Sequence, residues 1–159
     1  MDFSIRWANK ADMQYVLDLI VELAVFEKEP HAVEVTVEQL QEDGFGLQPK
    51  FKCFVAESNS KIVGIALIYM RYSTWKGETL HLEDLIVSNS MRGSGLGTAL
   101  LNEVVKYGQS IGVKRVGWEV LDWNEPAIKF YEKKGANVMR DWDVVQLNED
   151  AIKNYINNI

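Results

Sequence analysis

The chain has 159 residues, of which 47% are hydrophobic and 25% are charged, and its formal net charge at pH 7 is −6. This length suits one domain over residues 1–159, and the acidic balance argues against nucleic acid as a partner, because phosphate backbones require a basic face. The apolar runs are too short to cross a bilayer, the N-terminus lacks the order of a signal peptide, and Cys53 is the single cysteine. We therefore expect a cytoplasmic protein that binds neither nucleic acid nor membrane.

The first 50 residues predict one strand and two helices. Phe3–Trp7 alternates apolar and polar residues, which is typical of a short strand. Asp12 is a candidate N-cap for an amphipathic helix that should end by Glu29, before Pro30. Thr36 is placed to open a second, shorter helix.

Three strands are predicted next, at Lys52–Glu57, Lys61–Tyr72 and Glu78–Val87. The segments between them are short and contain turn-forming residues. Short connections of this kind favour antiparallel hairpins. These strands should form the centre of a sheet.

The second half alternates helices and strands. An apolar stripe predicts a helix that begins after Gly95, and Arg115–Leu121 reads as a strand. Asn124 is placed to cap the next helix, and a final strand near Met139–Leu147 precedes a short C-terminal helix. The element order predicts an α/β (α+β) fold with a central sheet and helices on its faces.

A glycine-rich turn joins the third hairpin strand to the following helix. Gly93, Gly95 and Gly97 alternate there, so the spacing fits neither a dinucleotide fingerprint nor a Walker A loop. Glycine removes the Cβ atoms that would keep an anion from the backbone, and the N–H groups of a helix's first turn carry partial positive charge. With Arg92 beside them, these residues predict a phosphate or pyrophosphate site.

The turn also resembles a known coenzyme motif. Residues 92–97, RGSGLG, look like the R/Q-x-x-G-x-G/A acetyl-CoA motif of the GNAT acyltransferases. Together with LHLEDLIVSNSMRG before it and DWNEPAIKFYEKKGA after it, the chain is similar to the spermidine/spermine (diamine) N-acetyltransferase branch and its thialysine-acetylating relatives. The resemblance implies a mixed, mostly antiparallel sheet, acetyl-CoA as co-substrate, no metal and a homodimer.

The resemblance also implies which residues form the site. Glu83 matches a carboxylate that binds the amine and relays its proton, Tyr131 matches the general acid for the departing thiolate, and Phe26-Glu27 falls at a polyamine contact. The coenzyme-binding candidates are Leu85, Ile86, Val87, Arg92, Gly93, Ser94, Gly95, Leu96, Gly97, Thr98, Asn124, Pro126, Ala127 and Tyr131. The acceptor-binding candidates are Phe26, Glu27, Glu83, Asp84, Trp118 and Glu119; of these, Trp118 is a candidate as an aromatic lining for an aliphatic acceptor and Glu119 as a source of negative potential, not from the resemblance.

The adjacent acids Glu83 and Asp84 interrupt an otherwise apolar strand. Strand alternation places them on opposite faces, so at most one of them should face a given pocket. Burial of a lone carboxylate is costly, which favours a functional role for one of them. His31 and His81 show no metal-ligand spacing.

Three functions fit these features. The first is acetyl transfer from acetyl-CoA to a primary amine of a polyamine or diamine, by direct attack in a ternary complex. The second keeps the reaction and changes the acceptor to an amino acid such as thialysine, or to a protein lysine; a substrate carboxylate would then require a cation that the sequence does not place. The third is a non-catalytic acetyl-CoA sensor.

Overall fold

The computed structural model describes residues 2–159, which divide into two compact units, one ending at Glu119 and one covering Val120–Ile159. The first unit contains strands β1 (Ser4–Trp7), β2 (Lys52–Ser58), β3 (Lys61–Ser73), β4 (Gly77–Val87) and β5 (Val116–Gly117), and helices α1 (Met13–Phe26), α2 (Val37–Phe45) and α3 (Leu96–Ser110). The second unit contains helices α4 (Glu125–Lys133) and α5 (Glu149–Asn157).

The five strands form one sheet in the order β1-β2-β3-β4-β5. The first four are antiparallel neighbours, and β5 runs parallel to β4. A parallel pair requires a crossover, and α3 supplies it. The predicted mixed, mostly antiparallel sheet is confirmed.

Helices cover both faces of this sheet. Side chains of β2 and β3 at Cys53, Val55, Ile65 and Leu67 form one core with residues of α1 and α2. On the opposite face α3 lies so close to β3 that a Cβ at Gly64 would be 3.1 Å from the Leu100 Cδ1 atom. Cys53 is 3% exposed, and burial raises the pKa of its thiol.

The start of α1 differs from the prediction, because the Asp12 side chain makes no capping bond to that helix. Its carboxylate instead accepts a bond from the Asn9 backbone N–H at 2.7 Å, which closes a capping box on the preceding 3-10 turn. Arg6 donates two bonds to the same carboxylate at 2.7 and 3.0 Å and holds the pKa of Asp12 below its usual range. The N-cap predicted at Thr36 is confirmed, since its Oγ1 accepts a backbone N–H at 3.2 Å.

Two predicted strands are shorter or missing. Of Arg115–Leu121 only Val116–Gly117 pairs with β4, and Met139–Leu147 forms no strand in residues 2–159. Its large apolar side chains are exposed, Val145 by 90%. An apolar pattern produces a strand only where a neighbouring strand takes up its hydrogen bonds. None of the helices in residues 2–159 is both long enough and apolar enough to span a membrane.

Candidate functional site

The turn between β4 and α3 has backbone geometry that only glycine adopts without strain. Gly93 and Gly95 have φ angles of 77° and 87°, and a Cβ at either position would meet no atom within 4 Å. Glycine is therefore needed there for the left-handed backbone, and the space above the turn is open to a ligand. Gly97 differs, because a Cβ on it would make an ordinary contact with Val87 at 3.6 Å.

The first turn of α3 presents backbone donors beside this space. The Leu96 N–H donates to the Ser94 Oγ at 3.4 Å, and the first bond to the carbonyl four residues back runs from Ala99 to Gly95 at 3.0 Å. The N–H groups of Gly97 and Thr98 lie between these two bonds, where a helix offers no internal acceptor. The arrangement suits an anion, as the sequence predicts.

The end of α1 contacts the same turn. The Arg92 guanidinium lies over the Phe26 ring, 5.0 Å from its centroid. The Asn89 N–H donates to the Glu22 Oε1 at 3.0 Å. Phe26, predicted as an acceptor contact, therefore touches the arginine predicted to bind the coenzyme.

Strand β4 has an unpaired edge next to the turn. β5 pairs with it only at Leu80 and His81, and no other strand of residues 2–159 pairs with β4 on that side. Backbone donors and acceptors of this edge are therefore available at Leu85 and Val87, whose N–H and C=O groups point away from β3. The Ile86 side chain is 3% exposed and belongs to the core on the α1 face, and its backbone groups face Ile65 of β3, so Ile86 does not contribute to the open edge.

The prediction that Glu83 and Asp84 lie on opposite faces is wrong. In the pairing of β3 with β4, Leu67 opposes Asp84 and Ile68 opposes Leu82, so Glu83 is an extra, bulged residue. The bulge interrupts the alternation of side chains. Asp84 therefore lies on the face of Leu67 and of the α1 core, the same face as Tyr69 and His81.

Glu83 lies on that face as well. Its Oε2 is 3.5 Å from the His81 Nε2, and its side chain is 52% exposed. We call Glu27, Glu83 and Asp84 the acidic cluster. Burial, assisted by the charges of Glu83 and Glu27, raises the pKa of Asp84 to about 6. Burial also raises the pKa of Glu27, which follows the last residue of α1.

Tyr69 lies next to the acidic cluster, and Glu119 and Arg71 act on Tyr69 electrostatically. Burial raises the pKa of Tyr69, and Glu83 adds to the effect by its charge and by a hydrogen bond. Glu119, just after β5, raises the same pKa, whereas Arg71 lowers it. Tyr69 and Arg71 are not among the predicted site residues, because no motif marks them and only their alternation on β3 relates them to the site. Trp118 is half-buried at the end of β5.

The remaining predicted residues belong to the second unit. The Asn124 Oδ1 accepts the Ala127 N–H at 3.4 Å, and Pro126 lies in the first turn of α4, so the predicted helix start is confirmed. Burial raises the pKa of Tyr131, which keeps its phenol protonated at neutral pH. The Phe130 and Tyr131 rings lie 5.2 Å apart.

The mixed sheet has an open edge, and the glycine turn and the acidic cluster lie on the same unit. The Acetyltransferase (GNAT) family model matches residues 13–136. The chain belongs to this acetyltransferase family.

Curated relatives agree with the assignment, and solved structures share the fold. Thialysine N-epsilon-acetyltransferase from Mus musculus is 39% identical over 140 residues, covering 83% of this chain and 82% of that protein. Spermidine/spermine N(1)-acetyltransferase-like protein 1 from Homo sapiens is 32% identical over 94% of this chain and 23% of its own length. An integron cassette protein from the V. cholerae mobile metagenome shares the fold, with a TM-score of 0.80, 21% identity and 98% coverage of both chains. An aminoglycoside N-acetyltransferase solved in complex with CoA has a TM-score of 0.73 at 17% identity, covering 92% of this chain and 95% of that one.

Proposed function

We propose that this acetyltransferase moves the acetyl group of acetyl-CoA to a primary amine of a small cationic acceptor, by direct attack in a ternary complex. The observation that carries the proposal is the acidic cluster, in which a bulge brings Glu83 and Asp84 to one face beside Glu27. Clustered carboxylates attract an ammonium group. The names of the relatives support small amines as acceptors.

Residues 92–98 hold the coenzyme pyrophosphate in this proposal. The open space above Gly93 and Gly95 fits a ligand that touches the backbone, and Arg92 supplies a positive charge. The CoA bound to the fold neighbour supports a coenzyme of this type. When bound, acetyl-CoA supplies the activated acetyl thioester. Backbone groups of Leu85 and Val87 polarise the acetyl carbonyl, while Asn124, Pro126 and Ala127 flank the coenzyme as the resemblance implies.

The acceptor must lose a proton before it attacks. An alkylamine has a pKa near 10.4, so fewer than about one molecule in a thousand is neutral at pH 7. Glu83 is exposed enough to bind the ammonium group, whereas burial raises the pKa of Asp84 to about 6 and makes it the stronger base. Asp84 takes the ammonium proton, and the neutral amine then attacks. As the C–N bond forms and the C–S bond breaks, Tyr131 donates its phenolic proton to the departing thiolate, and the second proton of the attacking nitrogen returns to the Tyr131 oxygen.

Two classes of acceptor are candidates. Diamines and polyamines have only positive charges, which suits the acidic cluster and the family resemblance. Amino acids such as thialysine add a carboxylate, and relatives named for thialysine acetylation favour this second class. Trp118 and Glu119 border the acceptor in either case.

A thiol-release assay tests the proposal. Purified protein is given acetyl-CoA and a panel that contains diamines, polyamines, thialysine, lysine and lysine peptides, and mass spectrometry identifies the acetylated nitrogen. We expect thiol release with at least one small amine and less with peptides. Coenzyme binding by calorimetry, with no release for any amine, would leave the sensor function and exclude the transferase.

Three sequence-based predictions remain open to experiment. They are the single acetyltransferase domain over residues 1–159, the homodimer and the cytoplasmic location. Sedimentation analysis checks the homodimer directly.

A further inference from the structure

An arginine lies on the same strand face as the acidic cluster. Side chains two residues apart on a strand point to the same side, and Arg71 follows Tyr69 on β3 by two. Thr79 opposes Arg71 and His81 opposes Tyr69, so these four side chains share the face to which the Glu83 bulge also turns. The Arg71 side chain is exposed and forms no ion pair with any carboxylate of residues 2–159.

Electrostatics relate the guanidinium to the cluster. Glu83 and Arg71 act on the pKa of the Tyr69 phenol in opposite directions, so both charges lie within reach of the same ring. Along this face the charges run from the acids Glu83 and Asp84, past Tyr69, to the positive Arg71. This strand face therefore has a negative end at the two acids and a positive end at Arg71.

This polarity matches one of the two acceptor classes. A thialysine molecule carries a primary ammonium at one end and an α-carboxylate at the other, six bonds away. Asp84 opposes Leu67, four residues before Arg71, so the two positions lie about 13 Å apart along the strands. An extended chain of six bonds covers roughly half of this distance, and the long, exposed Arg71 side chain reaches back along the face for the remainder. A diamine of equal length would bring its second ammonium toward Arg71, where like charges repel.

We propose that Arg71 is a specificity-determining residue that binds the α-carboxylate of an amino-acid acceptor and disfavours diamines. The proposal rests on the acetyltransferase function above and deepens it. While the acidic cluster holds the reacting ammonium group, Arg71 donates charge-assisted hydrogen bonds to the carboxylate. An α-amino group beside that carboxylate points away from the reacting end.

A pair of acceptors that differ in one group provides the test. Thialysine and its decarboxylated analogue, bis(2-aminoethyl) sulfide, have the same reacting end and differ by the carboxylate. We would measure kcat/KM for both acceptors with the wild-type enzyme and with Arg71→Gln, Arg71→Lys and Lys61→Gln. Lys61 is exposed at the opposite end of β3, so its variant controls for the loss of one positive charge.

We expect Arg71→Gln to lower kcat/KM for thialysine about tenfold, as the loss of one charged hydrogen bond predicts, and to leave the diamine value equal or higher. Arg71→Lys should restore part of the preference, and Lys61→Gln should change neither value. If Arg71→Gln lowers kcat/KM equally for both acceptors, or lowers neither value, the proposed role of Arg71 is overturned while the transferase function stands. A wild-type enzyme that acetylates neither acceptor nor any other amine would overturn the transferase function together with it.

Discussion

The charge of Asp84 should destabilise the folded protein at neutral pH, and its removal should show this. Burial and two neighbouring acids raise the pKa of Asp84 from 3.8 to about 6 in the folded state. The interval corresponds to about 3 kcal/mol, at about 1.4 kcal/mol per pH unit. Because the folded pKa of Asp84 lies above the unfolded one, the protonated carboxyl favours the folded state. This contribution to stability is complete below pH 3.8 and is lost as the pH rises through 6, so the ionised carboxylate carries a penalty at neutral pH. Asp84→Asn removes this penalty with little change of shape.

We therefore expect Asp84→Asn to raise the free energy of unfolding by about 2 to 3 kcal/mol at pH 7.5, or the Tm by roughly 5 to 10 °C. At pH 4 the variant and the wild type should be almost equally stable. Urea titrations of both proteins at the two pH values measure the difference. Glu78→Gln is the matched control, since Glu78 is an exposed acid at the far end of the same strand.

Activity should move in the opposite direction. An amide cannot accept the acceptor's proton, so Asp84→Asn should lower kcat/KM for the amine while coenzyme binding stays intact. A gain of stability that is equal at pH 4 and pH 7.5 would show that ionisation of Asp84 is not its cause. A variant that is less stable at pH 7.5 would refute the electrostatic reasoning entirely.

Three further variants separate the roles of the site residues. Tyr131→Phe removes the proposed acid, so kcat should fall about a hundredfold and more than the KM for acetyl-CoA rises; an unchanged kcat would remove Tyr131 from that role. Glu83→Gln should raise the amine KM about tenfold by removing one charge from the ammonium contact, and equal KM values in steady-state kinetics would count against it. Phe26→Ala removes the ring under Arg92 and should weaken CoA binding in calorimetry about two- to fivefold, whereas Phe26→Tyr should keep it; identical affinities would show that the ring does not position the guanidinium.

Local signals in the sequence were sufficient where one segment forms the feature by itself. The glycine spacing at 93–97 predicted the turn, because left-handed backbone and open space are properties of that segment. The N-caps at Thr36 and Asn124 were equally local, since the capping oxygen bonds to a nearby N–H. Asp12 was misassigned because its stronger partner, Arg6, approaches from β1.

Features that depend on a neighbouring strand could not be predicted. The bulge at Glu83 exists only in the register of β4 against β3, so alternation along one strand gave the wrong face for one acid. The same holds for Arg71, whose relation to the cluster passes through Tyr69 and the opposing strand. The missing strand at Met139–Leu147 shows the converse, an apolar pattern without a partner in the described residues.

The burial of Cys53 has a practical consequence for every assay that detects free coenzyme. The chain's single thiol lies in the core between the sheet and α1, with its pKa raised by burial, so almost none of it is thiolate at neutral pH. A disulfide reagent in the reaction mixture will therefore react with released CoA and not with the native enzyme. Slow labelling of Cys53 would instead report how often α1 separates from the sheet, so the labelling rate measures opening of the core.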